Sequence, residues 1–202
     1  THAGPDHVGC AYKFQRDYPG IQVIYNNTIK PNPAYLPYPP VVTVMKDGDT
    51  LTLGDTTITM VLTPRTVGGD GFSYFIPVRI HGKRHLWATY GNTGINGPLA
   101  NISVYLDSMA KFLTYVDSLK PDIAISSHPF VDGSIRRMEL IRECQDKRGR
   151  QDVCGPHNPF LIGKEGARTY FEIMNQCAVV RYDREAAGLP ANGLGPYSPP
   201  AP

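Results

Sequence analysis

The chain has 202 residues with 20 basic and 18 acidic side chains, a net charge of +2. That length suits one domain, or one large part of a domain, with a real hydrophobic core, and the near-neutral balance offers no long-range field for nucleic acid or an anionic membrane, so neither is an expected partner. Hydrophobic residues at 41% exclude a disordered chain, while 20 glycines and 19 prolines point to many turns and loops.

From the front, Val8 to Tyr18 reads as a short helix with Ala11, Phe14 and Tyr18 on one apolar face. Pro19-Gly20 stops it, and Ile21 to Tyr25 is rich in strand formers. Five prolines between Lys30 and Pro40 make that stretch a loop. Val41 to Val44 resumes sheet structure, followed by a turn at Asp47-Gly48-Asp49. Leu51 to Leu53 and Thr57 to Leu62 form two strands around Gly54-Asp55. Phe72 to Val78 and His85 to Thr89 form another pair, turned at His81-Gly82-Lys83.

The pattern then changes period. Ile102, Tyr105, Leu106, Met109, Phe112, Leu113, Val116 and Leu119 recur at helical spacing, and Pro121 ends this amphipathic helix. Ile123 to Ile125 is a short buried strand leading into Ser126-Ser127-His128-Pro129. Helices are expected over Ser134 to Glu143 and Lys164 to Asn175. The chain thus divides into a domain over residues 1–187 and a Pro/Gly-rich tail over 188–202. Strands first, with helices inserted and following, predict an α/β sandwich rather than a doubly wound sheet.

Four cysteines, Cys10, Cys144, Cys154 and Cys177, are too few for a disulfide scaffold. Cys144 and Cys154 flank a polar loop and either bridge it or stand as two free thiols. Asn26-Asn27-Thr28 and Asn101-Ile102-Ser103 are glycosylation sequons. With a first residue other than Met, compatible with removal of a leader, they favour a secreted protein over a cytoplasmic one.

The densest chemistry lies in Thr1-His2-Ala3-Gly4-Pro5-Asp6-His7-Val8-Gly9. Carboxylate oxygen and neutral imidazole nitrogen are zinc ligands, and a catalytic zinc takes three of them plus an open position. A turn also frees such side chains from the core. No P-loop, Rossmann glycine fingerprint or G-x-S-x-G elbow is present.

His2-x-x-x-Asp6-His7 resembles the His-x-His-x-Asp-His signature of the metallo-β-lactamase superfamily, with Gly4 where the second histidine belongs. Val44 to Gly54 resembles that family's strand pair, and Thr63-Pro64-Arg65-Thr66-Val67-Gly68-Gly69 its Thr-Pro-Gly-His loop, with Thr66 at the histidine. Tyr90 to Gly94 resembles its Gly-rich turn, and Ser126-Ser127-His128-Pro129 its Asn-His-Pro. The order is right throughout, and the branch resembled holds the subclass B3 lactamases and their non-lactamase relatives.

The resemblance implies an αββα sandwich of metallo-β-lactamase type. Of one three-histidine metal site only His2 remains, whereas Asp6, His7 and His128 supply the second site in full. Glycine offers no ligand and a neutral threonine hydroxyl a poor one, which argues against a dinuclear centre. Either one zinc sits on Asp6, His7 and His128, with His2 grouped with these metal residues as a supporting donor or proton carrier, or these residues hydrogen-bond one another around an empty site. Arg65 either fills space beside the missing ligand, pairing with Asp6, or faces solvent. Cys10 either faces the site as a soft ligand or is a buried structural thiol. His81, His85 and His157 have no chemical role in this reading.

Measured against the family, the chain begins at the metal motif and lacks the amino-terminal strands. The expected partner is therefore an amino-terminal fragment of the same precursor, or another copy of the chain pairing at an open sheet edge.

Overall fold

The structure, a computed structural model, describes residues 2, 4–25, 42–69, 71–95, 97–148 and 158–189. In chain order its elements are α1 (Pro5–Val8), α2 (Ala11–Asp17), β1 (Val23–Tyr25), β2 (Val42–Val44), β3 (Thr50–Leu53), β4 (Thr56–Leu62), β5 (Phe72–Ile80), β6 (Lys83–Thr89), α3 (Leu99–Leu119), β7 (Ile123–Ala124), α4 (Ser134–Arg148) and α5 (Gly163–Ala186). β1 and β2 pair in parallel, and β3 to β7 form a five-stranded sheet in chain order. The first four of these strands are antiparallel, and β7 lies parallel to β6 after the α3 crossover.

Turn chemistry sets the registers. Gly54 has φ +61° at the first position of a two-residue loop, so Leu53 pairs with Thr56. At the β5–β6 turn both central residues, His81 (φ +49°) and Gly82 (φ +76°), are left-handed. That backbone twists with the flanking strands, and histidine is among the residues that tolerate it. The strands consequently run further than expected, to the pair Ile80 and Lys83.

The core lies where the sheet meets α3 and α5. Val61, Phe75 and Ala88 from the strands meet Met109, Phe112 and Val116 of α3 and Ala167, Phe171 and Ala178 of α5. Phe112 is fully buried and contacts three rings: Phe75 at 5.0 Å, Tyr90 at 5.3 Å and Phe171 at 4.9 Å between centroids. The cross-helix ion pair of Arg168 with Asp117 is about half exposed on both sides and contributes at most ~1 kcal/mol. Burying one phenyl ring contributes ~1.5–3 kcal/mol. Ring packing therefore holds α5 to α3.

Three helices differ from their expected spans. The front helix is two pieces, because the chain turns at Gly9-Cys10, and Asp6-His7 occupy their own helical turn. α4 continues to Arg148 and α5 to Ala186. α5 goes on past Asn175 because Ala178 is in the core, and it stops where Gly188 (φ +66°) allows a left-handed cap. There Leu189 N–H donates to Arg184 C=O and Gly188 N–H to Glu185 C=O, the paired bonds of a Schellman motif.

Cys144 is disulfide-bonded, while Cys10 and Cys177 are free and exposed, so Cys10 is not a buried structural thiol. Cys154, His157, the first sequon, the proline-rich loop and all but the first two residues of the tail lie outside the described residues. Among the described residues no helix is long and apolar enough to cross a membrane.

Candidate metal centre

Proline at the first helical position starts α1 without losing a hydrogen bond, since that N–H has no helical partner anyway. Gly4 C=O accepts from both His7 N–H (2.9 Å) and Val8 N–H (3.0 Å), closing the turn that displays Asp6 and His7. His128 arrives from the loop after β7. Asp6 Oδ2 lies 3.3 Å from His128 Nε2 and 3.4 Å from His7 Nε2. One ligand atom from each residue falls within 4.8 Å of the others. The rings of His7 and His128 meet edge to face, with centroids 5.0 Å apart.

The three groups have different surroundings. The His7 side chain is 8% exposed and that of Asp6 60%. Burial, foremost, holds the His7 imidazole below its ordinary pKa; Asp6 opposes this, and the charges of His128 and Arg65 add to the lowering. A neutral imidazole is the form that ligates a metal. The contact with His128 is the main cause lowering the Asp6 pKa; burial opposes it, and the neighbouring His7 and His2 add smaller lowering effects. His7 Nε2 is buried and makes no hydrogen bond. An orphaned imidazole nitrogen facing a carboxylate and a second histidine fits a zinc ligand set.

His2 stands beside this trio. Its ring meets that of His7 edge-on at 4.3 Å, and its Nδ1 accepts Gly4 N–H at 2.9 Å. Gly4 is tightly enclosed: a Cβ there would lie 2.4 Å from His2 Cε1 and 2.7 Å from Asp6 Oδ1. The place where the family pattern puts its second histidine is thus taken by His2 and Asp6. Asp6 lies within 3.4 Å of both histidines, and the Arg65 charge is the smallest of the effects on the His7 pKa.

The fold has counterparts among solved structures. A point mutant of the FEZ-1 metallo-β-lactamase from Legionella gormanii matches with a TM-score of 0.68 and 21% identity, over 93% of this chain and 73% of that one. BJP-1, a subclass B3 metallo-β-lactamase of Bradyrhizobium japonicum, matches at 0.64 and 22%, over 93% and 72%. This chain has the metallo-β-lactamase fold. SMB-1, a metallo-β-lactamase in complex with mercaptoacetic acid, matches at 0.65 and 17%, over 93% and 73%. No protein-family model and no curated protein matches the sequence.

Behind the trio, the metallo-β-lactamase fold here carries a polar knot that local sequence patterns do not display. Thr63 and Ser73 share a buried hydroxyl contact of 2.7 Å, and Ser73 Oγ accepts Gly91 N–H at 3.0 Å. Asn92 Nδ2 donates to Thr63 C=O at 2.6 Å, and Tyr105 O–H donates to Asn92 C=O at 3.4 Å. The next residue, Thr93, places its hydroxyl 2.7 Å from His128 Nδ1. Asp132 secures the histidine's own loop, accepting Ser126 N–H at 2.7 Å and Ser134 N–H at 2.9 Å, while His128 N–H donates to Ser126 Oγ at 3.0 Å. His85 has a structural partner instead, Asp122 at 2.6 Å, which joins β6 to the turn before β7.

Proposed function

We infer that Asp6, His7 and His128 hold a single zinc ion, and that the chain is a hydrolase of esters, amides or lactones rather than an efficient β-lactamase. The observation that carries this is the convergence of three ligand atoms within 4.8 Å, one of them a buried imidazole nitrogen without a hydrogen bond. Zinc in such a site lowers the pKa of water towards ~7 and so supplies a nucleophile at neutral pH. The chain's own residues set the conditions. Burial keeps His7 neutral, and the exposed Asp6 carboxylate offsets positive charge while leaving one side of the site open to substrate.

A second reading is favoured by Gly4, whose enclosed position and lack of a ligand accompany Thr66 at the other expected histidine. In it the fold persists as a non-catalytic binding or assembly protein. Metal analysis separates the two. The hydrolase reading expects about one zinc per chain, lost in Asp6→Ala, and zinc-dependent cleavage of a chromogenic aryl ester or lactone. Absence of bound metal at saturating zinc leaves the non-catalytic reading.

A further inference from the structure

A histidine that ligates through Nε2 must carry its ring proton on Nδ1, and that proton needs an acceptor. The Nε2 of His128 faces Asp6, and its Nδ1 faces the Thr93 hydroxyl at 2.7 Å. A threonine hydroxyl can accept as well as donate. We propose that Thr93 is a positioning residue: it accepts the Nδ1 proton of His128, selects that tautomer and holds the Nε2 lone pair towards Asp6 and His7. The inference rests on the zinc reading above and deepens it.

The surroundings make Thr93 a fixed point. Its neighbour Asn92 is fully buried and tied on both sides, by Nδ2 to Thr63 and by its carbonyl to Tyr105. Gly71 (φ +144°) permits this closeness, since a Cβ there would lie 2.6 Å from Asn92 Nδ2 and 2.9 Å from Thr63 C=O. The opposing His128 is held by its own backbone bond to Ser126. Two anchored segments, 35 residues apart in sequence, therefore meet at one hydroxyl–imidazole contact. If the hydroxyl instead donated to Nδ1, the proton would sit on Nε2 and bond Asp6, and the ligand position would be blocked.

The test compares wild type, Thr93→Val and Thr93→Ser by zinc affinity, measured in competition with a chromogenic chelator, and by the nitrogen-15 shifts of His128. Valine keeps the shape and removes the acceptor. Thr93→Val is expected to weaken zinc binding ~10–100-fold, and Thr93→Ser to restore it to within a few-fold. In the zinc-loaded wild type, Nδ1 should carry the proton. Equal zinc affinity in Thr93→Val, or a serine variant as weak as the valine one, overturns the proposal. Should wild type bind no zinc, the metal reading fails by itself. The Thr93 contact is then read in the metal-free protein, where an Nδ1 shift unaltered by Thr93→Val overturns the proposal and a shift restored by Thr93→Ser upholds the contact.

Discussion

Asp6 Oδ2 and His128 Nε2 lie 3.3 Å apart although 122 residues separate them in the chain. With His7 buried behind them, this contact brings the exposed front turn to the loop after β7. Because the charge on Asp6 sits between two imidazoles, its removal should act on both. Asp6→Asn is expected to weaken zinc binding by at least ~10-fold while leaving the far-UV spectrum unchanged. His2→Ala should retain the wild-type zinc stoichiometry, because His2 Nδ1 is engaged by Gly4 N–H. Loss of zinc in that variant would make His2 a ligand.

Gly4 tests how closely the motif is packed. A methyl group at this position meets only the ends of the His2 and Asp6 side chains, which can swing away. Gly4→Ala should therefore change folding stability by no more than ~0.5 kcal/mol. Zinc affinity should nevertheless fall ~10-fold, because Asp6 is displaced. Chelator competition and urea unfolding on the same sample check the two halves.

Phe112 is the centre of the sheet–helix core, fully buried against Phe75, Tyr90 and Phe171. Truncation leaves a cavity that three rings on three different elements cannot jointly fill. Phe112→Ala should cost about 3–5 kcal/mol in urea unfolding. The exposed pair Arg168–Asp117 offers the contrast: Arg168→Ala should cost under ~1 kcal/mol.

Burial pushes the Tyr74 phenol up to about 12. An acid whose folded pKa is raised keeps its proton while the unfolded chain, at about 10, loses it. Its contribution to stability is thus complete below about pH 10 and is lost as pH rises through 10 to 12. Tyr74→Phe should flatten the alkaline limb of stability across that window, measured by urea midpoints at successive pH values. An unchanged slope would show that Tyr74 ionises as freely folded as unfolded.

Much of the fold follows from patterns a few residues long. Glycine at 54 and 82 specifies two-residue hairpins, and the apolar recurrence from Ile102 to Leu119 specifies α3. The order of short motifs also marked Asp6, His7 and His128 as a set, and the structure brings these three together. Such signals are legible because a turn or a helical face depends on residues adjacent in the chain.

Other features arise only when distant segments pack. The last eleven residues of α5 lack a clear apolar period, and their helix is secured by Ala178 in the core and by the Gly188 cap. Burial lowers the His7 pKa, and the side chains of His2 and Asp6 decide what Gly4 can accommodate. Thr93 has no local mark as a partner of His128; the Thr63–Ser73–Asn92 knot puts it there. The sequence by itself determined which candidate ligand residues are present and their order. Tertiary packing decided their distances, their burial and the hydroxyl that faces His128, because those quantities depend on neighbours far along the chain.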